Sequence, residues 1–503
     1  MRHISLNARA LGLLVLAALV CGPPAGATVV LHVTSGGVRA EQDPTLGSAY
    51  ADPASPAPAP SRASRAAVPA VRAARTDPVP RTVKDAFSRG AIDAPTRDRY
   101  LASWSAALHA YGGLRGQRRI ELGYVIGVMR TLAAHRGLAG RLAPLFLTLD
   151  RNREWWSKAG PPASGARLRF GSSRVIFQYF PGEGLQLHPL ANFGQLNGYW
   201  YAKRNGDLRS LADDLLALRV ERGGFITWEY YFGFGGGKPP WISAMAQGTA
   251  MQALARASVQ LSDPALLEVA KRARGAFEQR TPTGVRAQQG SQVWYPLYSF
   301  APHLNVLNGM LQAVNGIRTY DDFAQDPVGQ QLFDAGDRTA RAVISSYDTG
   351  AWSLYNRPGG RPGPEASLNY HTLNRDFARN LCKATKAPEY CTAADNFTTY
   401  LKEDPTLEPF GAAPSPALAG RGVKFRFKLS KIGRVGIVVK ESSSGRTYLS
   451  TSASFAHGDR FFRWVAPKLK GEHTYDFTLF ARDLAGNSSS VKGQIRVVAS
   501  RRT

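Results

Sequence analysis

The sequence predicts a multidomain α+β protein: an α/α barrel of helix pairs with a β-hairpin insertion, followed by a small all-β sandwich. Two observations support this fold class. Apolar residues recur at helical spacing in successive segments between residues 83 and 405. Beyond residue 405 the pattern changes to strand-like alternation, with turns about every 8–12 residues. At 503 residues, the chain is long enough for two or three domains of about 100–200 residues each.

The helical part opens with amphipathic segments at 99–111 and 120–132 and an apolar run at 142–149. Residues 167–180 alternate around Gly171 and predict a β-hairpin. Helical spacing then resumes in seven segments: 189–220, 243–260, 263–279, 303–318, 327–346, 371–384 and 391–403. Loops rich in Trp, Tyr and Gly separate these helices, so we expect the loops to gather at one mouth of the barrel, where aromatic faces suit sugar rings.

The C-terminal residues 410–503 predict a β-sandwich that looks like an immunoglobulin-like or fibronectin III-like module. This segment has 17 Lys and Arg against 5 Asp and Glu, a net charge of +12 in 94 residues. The whole chain carries +26, so almost half of the positive charge lies in this small module. Positive charge of this density predicts an anionic partner, which is a nucleic acid, a membrane surface or an acidic polysaccharide.

The N-terminus narrows that choice. Arg2, His3 and Arg9 precede the apolar run 11–20, and Ala25-Gly-Ala27 fits a small-residue cleavage site. Residues 1–27 therefore predict a secretory signal peptide, with a buried core helix or a lipid anchor at Cys21 as the alternatives. Residues 28–82, rich in Ala and Pro, predict a disordered linker. We expect a secreted or cell-envelope protein without a transmembrane span, whose partner is a glycan rather than a nucleic acid.

Cysteine use agrees with export. Cleavage would leave only Cys382 and Cys391, which close a ten-residue loop. Two cysteines this close in an exported chain predict one disulfide, with two free buried thiols as the alternative. A metal site is disfavoured because no His or further Cys stands at ligand spacing.

Conventional catalytic motifs are absent from the sequence. The run 233–238 superficially resembles a phosphate-binding loop, but Pro239 stands where Ser or Thr is needed, so we interpret it as a flexible loop at the barrel mouth. Tyr298, Tyr355 and Tyr370 lie in loop-rich segments. A nearby cation could lower a tyrosine pKa and make it an acid or base, whereas composition alone favours packing or sugar stacking.

Five motifs, in one order, resemble the D-glucuronyl C5-epimerase C-terminal domain. They are WISAMAQG (241–248), VLNGMLQAVNGI (306–317), YDTGAWSLYN (347–356), NYHTLN (369–374) and FQYFPGEGLQLHPL (177–190), the last similar to bacterial relatives. The family converts glucuronic to iduronic acid within a polysaccharide, by removing and returning the proton on carbon 5. That resemblance implies a uronic-acid polysaccharide as substrate and requires no metal or organic cofactor.

The resemblance also implies site residues. Tyr298, Tyr355 and Tyr370 fall on the family's active-site tyrosines, and Arg357 and His371 are candidates for holding the uronate carboxylate. Further substrate-binding candidates are Trp241, Gln247, Trp294 and Asn308.

Three departures keep alternatives open. The two acidic residues before the family tyrosine are Pro296 and Leu297 here, Ser299 replaces the following Pro, and Asn374 replaces a His. A non-catalytic binder of anionic envelope glycans is therefore an alternative to the epimerase. A uronate lyase is another, because proton abstraction at carbon 5 followed by β-elimination shares the first step.

Overall fold

The computed structural model describes residues 27–47 and 77–499. Apart from Ala27, the predicted signal peptide lies outside these residues. The helices are α1 (Pro78–Ser88), α2 (Ala94–Gly113), α3 (Gly116–Ala134), α4 (Leu142–Lys158), α5 (Pro189–Tyr201), α6 (Asn205–Ala217), α7 (Ala244–Gln260), α8 (Pro264–Arg274), α9 (Leu307–Ala324), α10 (Pro327–Val343), α11 (Leu368–Thr385) and α12 (Pro388–Tyr400).

The strands fall into two groups, before and after the last helix. The first group is β1 (Ala27–Thr34), β2 (Gly37–Gly47), β3 (Arg167–Phe170), β4 (Phe177–Phe180), β5 (Gly184–Leu187), β6 (Val220–Arg222), β7 (Phe225–Thr227), β8 (Ala287–Gln289) and β9 (Gln292–Trp294). The second is β10 (Leu407–Ala413), β11 (Ala417–Leu418), β12 (Gly422–Leu429), β13 (Gly433–Glu441), β14 (Thr447–Phe455), β15 (Gly458–Val465), β16 (Glu472–Asp483) and β17 (Ser488–Val498).

Helices α5 to α12 form four antiparallel pairs, as the helical spacing predicts. Connections of two or three residues join α5 to α6, α7 to α8, α9 to α10 and α11 to α12. The first helix of each pair packs against the first helix of the next pair. These four first helices are therefore parallel, and their N-terminal ends lie on the same side of the domain.

Helix starts follow from a short sequence signal that recurs along the chain. Asp77, Asp263 and Asp326 each precede a proline, and each carboxylate accepts a hydrogen bond from the backbone N–H two residues later. The aspartate satisfies a donor that the first turn leaves free, and proline has no N–H to satisfy. Local chemistry thus fixes where α1, α8 and α10 begin.

Two glycines bring α7 and α9 into backbone contact. A Cβ added at Gly316 would lie 2.2 Å from the carbonyl oxygen of Gly248, and one added at Gly248 would lie 2.9 Å from the Cα of Ala313. No larger residue fits at Gly316 unless the helices move apart. Both glycines occur in the motifs quoted above, which gives those motifs a packing explanation.

The prediction of a linker over 28–82 is wrong for its first part. Residues 27–47 form β1 and β2, and β1 pairs in parallel with β3 to give one sheet in the order β2-β1-β3-β4-β5. Val30 and Leu46 are fully buried, and Asp43 forms an ion pair with Arg169 across 2.7 Å. The hairpin predicted at 167–180 is therefore part of a larger sheet. Residues 48–76 lie outside the described residues, and the helices begin at Pro78.

The C-terminal strands form two facing sheets, one in the order β10-β12-β15 and one in the order β11-β17-β16-β13-β14. Their inner faces share one apolar core, in which the rings of Phe425 and Phe477 lie 4.9 Å apart across the sheets. This sandwich begins at Leu407 rather than 410. The sequence analysis missed β10, β11 and β14. The immunoglobulin-like or fibronectin III-like assignment stays a prediction.

A disulfide joins Cys382 on α11 to Cys391 on α12, with 4.9 Å between the two Cα atoms. It staples the last helix pair next to its two-residue connection. Within residues 27–47 and 77–499, every helix is too short or too polar to cross a bilayer.

Candidate active site

The candidate site lies where the four parallel first helices begin. Helix α5 starts after His188, α7 after Ser243, α9 after Val306 and α11 after Ser367. A separate cluster of aromatic and apolar side chains covers this end of the domain. The long loops that precede α7, α9 and α11 contribute most of that cluster, which agrees with loops gathered at one mouth.

The loop before α7 supplies stacked aromatic rings. The rings of Tyr230 and Trp241 stack at 4.1 Å, and their backbones pair as a two-residue bridge. The indole N–H of Trp241 donates to the Phe232 carbonyl at 2.7 Å, and the Tyr230 hydroxyl accepts from Leu190 N–H at 3.3 Å. These bonds hold the Trp241 ring 5.7 Å from that of Tyr298.

All three tyrosines expected at the active site come together. The hydroxyl oxygens of Tyr298 and Tyr355 are 3.4 Å apart, and the rings of Tyr355 and Tyr370 lie 4.9 Å apart. They come from three different segments: the loop before α9, the loop before α11, and the first turn of α11. A packing role alone does not require two phenol oxygens to meet in a cluster of hydrocarbon rings.

The tyrosine pKa values move in the opposite direction from the one expected. Burial, followed by the neighbouring Tyr355 and Tyr370, raises the pKa of Tyr298 well above 10. Burial also raises the pKa of Tyr355, with the hydrogen bond to Tyr298 partly opposing it. Without substrate, both phenols therefore hold their protons at neutral pH.

The remaining candidates differ in their surroundings. Gln247 is buried and hydrogen-bonded to Thr227 and to the carbonyls of Ile226 and Ala273, which ties α7 to its neighbours. Asn308 is 1% exposed, and its side-chain amide has no hydrogen-bond partner within the described part of the chain. Trp294 is buried in the main core of the helical domain rather than in the aromatic cluster.

Arg357 and His371 both have protein partners. The Arg357 guanidinium donates to the carbonyls of Ser346 and Gly360 at 2.9 and 2.7 Å. One ring nitrogen of His371 accepts from Ser353 N–H at 3.1 Å, and the other lies 2.9 Å from the Phe397 carbonyl. Burial lowers the pKa of His371 to about 4, so the ring is neutral and orients Ser353. The structure brings neither residue's polar atoms to the phenol pair.

A carboxyl group that the sequence analysis did not select lies beside the cluster. The carboxylate of Glu121 is buried and accepts from the N–H groups of Gly182 and Gly184, at 2.8 and 2.6 Å. Both glycines have positive φ, near 89° and 84°, so the turn wraps around Glu121 and presents Glu183 on its other side.

Glu183 faces the loop that carries Phe234. A Cβ at Gly233 would lie 3.2 Å from its carboxylate oxygen, Tyr124 is adjacent, and the neighbouring Phe234 ring is 5.2 Å from that of Tyr298. Burial, with Glu121 as a second cause, raises the pKa of Glu183 to about 8. The sequence signal was present in the quoted motif PGEG, in which two glycines flank one acidic residue.

Comparison with known proteins places this segment. Residues 222–399 match the family model described as D-glucuronyl C5-epimerase C-terminus. A curated D-glucuronyl C5-epimerase from Caenorhabditis elegans is 30% identical over 178 residues, which cover 32% of this chain and 29% of the relative. The matched residues therefore span less than a third of that protein.

Solved structures similar to this chain include a D-mannose isomerase, at 15% identity and a TM-score of 0.32, covering 56% of this chain and 73% of that one. A cellobiose 2-epimerase from Bacillus thermoamylovorans is 11% identical with a TM-score of 0.35, covering 57% and 75%. The family match spans Tyr298, Tyr355 and Tyr370, the residues that meet in the structure. Residues 222–399 of this chain belong to the D-glucuronyl C5-epimerase C-terminal family.

Proposed function

We propose that this protein is a C5-epimerase of a uronic-acid polysaccharide. The observation that carries the proposal is the meeting of Tyr298, Tyr355 and Tyr370, with two phenol oxygens 3.4 Å apart, inside an aromatic cluster. The name of the relative, D-glucuronyl C5-epimerase, supports glucuronate and iduronate as the sugars.

The reaction needs a base that takes the carbon-5 proton and an acid on the other ring face that returns one. The electron pair left at carbon 5 delocalises into the adjacent carboxylate, so that group must be stabilised as charge develops. Tyr298 holds its proton because its pKa lies well above 10, and it is suited to donate that proton to carbon 5. Tyr355 or Tyr370 serves the opposite ring face.

We assign to Glu183 the carboxyl group that this site lacks at Pro296 and Leu297. A pKa of about 8 leaves Glu183 mostly protonated at neutral pH but able to accept and release a proton there. Its place beside Gly233, one residue from Phe234, supports proton exchange with the cluster through substrate or water.

Charge on the substrate has two sources of stabilisation. The N-terminal ends of α5, α7, α9 and α11 lie on the cluster side, and helix N-termini favour negative charge. Asn308, in the first turn of α9, offers a buried amide without a partner in the described chain, next to Leu307, whose N–H donates to the Tyr355 carbonyl at 3.2 Å. We propose that Asn308 binds the sugar.

The outer face of β12 and β15 suits an anionic polymer. Lys424, Arg426 and Lys428 alternate outward along β12, and Lys424 pairs with Arg463 on β15. Phe461, 41% exposed, lies between Lys424 and Arg463, whose charged groups are 5.1 and 5.4 Å from the ring centre. Cations around an exposed ring favour a chain of sugars that carry carboxylates. An exported or envelope location agrees with such a substrate and is part of this proposal.

The first prediction concerns the phenol. Incubation with a glucuronate-containing polymer in deuterated water should place deuterium at carbon 5, measured by NMR. Tyr298→Phe should lower that rate at least about 100-fold, since it removes a proton donor. Tyr201→Phe, at an exposed tyrosine on the end of α5, is the control and should leave it unchanged.

Other outcomes select other functions. Wild-type protein that binds the polymer without exchanging carbon 5 would be a binder. New ultraviolet absorbance from unsaturated chain ends would identify a lyase.

The second prediction concerns Glu183 and pH. Its pKa is about 8 in the folded protein against a usual 4.5, so between these values the folded state binds more protons than the unfolded state. Stability contributed by this group therefore falls as pH rises from about 5 to 8 and stays low above 8. Glu183→Gln should remove this fall, so its advantage in unfolding free energy over wild type should grow across that range.

The exposed Glu268, with no perturbed pKa, gives the matched control. Glu268→Gln should differ from wild type by an amount that does not change with pH. Chemical denaturation at several pH values measures both variants. A Glu183→Gln difference that is equally constant would show that Glu183 is ionised at neutral pH.

The third prediction concerns the sandwich. Replacing Lys424, Arg426 and Arg463 together by Gln should weaken polymer binding by the full-length protein about tenfold at low salt and should flatten its salt dependence. The control removes the same charge from the other sheet, at the exposed Arg434, Lys440 and Lys492. Equal losses in the two triple variants would mean that net charge, rather than this face, binds the polymer.

A further inference from the structure

The sandwich contacts the loop that carries an active-site tyrosine, through one buried carboxylate. The side chain of Glu365 is fully covered. Its two oxygens accept from the backbone N–H of Ile432 and of His457, each at 2.8 Å, and the His457 ring nitrogen lies 3.0 Å away. All three donor groups belong to the sandwich, and Glu365 belongs to the helical domain.

Glu365 is coupled to Tyr355 through a short backbone ladder. Glu365 pairs with Leu354 in an antiparallel bridge. On either side of this bridge, Tyr355 N–H donates to the Pro364 carbonyl and Ala366 N–H donates to the Ser353 carbonyl, both at 2.8 Å. The position of the Glu365 backbone therefore sets the position of the strand that carries Tyr355.

A second buried contact fixes the sandwich against the same loop. Lys431 is 1% exposed, and its ammonium group lies 2.9 Å from Asp483 and 2.7 Å from the Tyr400 carbonyl at the end of α12. The same ammonium is 5.7 Å from the ring centre of Trp352, two residues before Leu354. A cation at a helix C-terminus is favourable, and the pair with Asp483 leaves neither charge unpaired.

The energetics make the loop conformation depend on the sandwich. A buried carboxylate without partners costs several kcal/mol, and here the N–H of Ile432 and the N–H and ring of His457 remove that cost. Without these donors, Glu365 would turn to solvent and disturb the ladder to Tyr355. A displacement of about 1 Å at a reacting group can lower a rate about 100-fold.

We infer that Glu365 is a positioning residue and that the C-terminal sandwich, through Ile432 and His457, holds Tyr355 against Tyr298. The sandwich is then part of the catalytic unit and not only a module that binds polymer. The catalytic half of this inference rests on the proposed function; the structural half does not.

Glu365→Gln in the full-length protein tests both halves. The amide keeps the shape of the side chain but sets an NH₂ group against N–H donors. Hydrogen exchange at the Tyr355 amide should accelerate at least tenfold, measured by mass spectrometry on peptides that span 352–366. The turnover number for carbon-5 exchange, corrected for the folded fraction, should fall about tenfold, with KM within twofold of wild type.

Glu441 provides a matched control, because it pairs with the ring of His473 at 2.7 Å inside the sandwich, away from the loop. Glu441→Gln should change neither the Tyr355 exchange nor the turnover number. His457→Ala keeps both backbone donors and removes the ring, so it should show a smaller effect of the same kind and serves if Glu365→Gln fails to fold.

Unchanged exchange at Tyr355 in Glu365→Gln would overturn the inference. So would faster exchange with an unchanged turnover number, because Glu365 would then affect structure without positioning. Wild-type protein that exchanges no carbon-5 proton would refute the proposed function, while accelerated amide exchange in the variant would still uphold the coupling of the sandwich to the loop.

Discussion

The site depends on the backbone contact between α7 and α9, where Gly316 and Gly248 approach more closely than any side chain allows. That contact sets the distance between the loops that precede the two helices. One loop carries Trp241 and the other carries Tyr298, whose rings meet at 5.7 Å. Ser299 strengthens the link, because its N–H donates to the Ile242 carbonyl and its hydroxyl accepts from Ile242 N–H. The helix contact and the loop contacts thus act on the same geometry.

Buried carboxylates organise the loops around this framework. Glu121 holds the turn that presents Glu183, and Glu365 holds the strand that carries Tyr355. Glu229 is also buried and pairs with Arg141 and Arg222, which fixes the start of the loop that leads to Trp241. Buried ion pairs add little net stability, but removing one partner is strongly destabilising. Each carboxylate therefore selects one loop conformation rather than adding much to the free energy of folding.

Sequence analysis predicted what local chemistry determines. Helical spacing and the Asp-Pro starts at Asp263 and Asp326 located the helix pairs, and strand alternation located most of the sandwich. The strand β1 was missed because its partner β3 lies far along the chain and the intervening residues have the composition of a linker. The three tyrosines were predicted together through motif order. The direction of their pKa shifts and the roles of Glu183 and Glu365 depend on burial by distant segments, which no local pattern reports.

The central claim is that sugar chemistry occurs at the phenols of Tyr298, Tyr355 and Tyr370. The most direct measurement is a crystal structure of the full-length protein with a short glucuronate oligosaccharide. The account predicts carbon 5 of one uronate within about 3.5 Å of a phenol oxygen of this group, the separation of reacting atoms before transfer. An oligosaccharide bound only to the sandwich, with the tyrosine cluster empty, would contradict it.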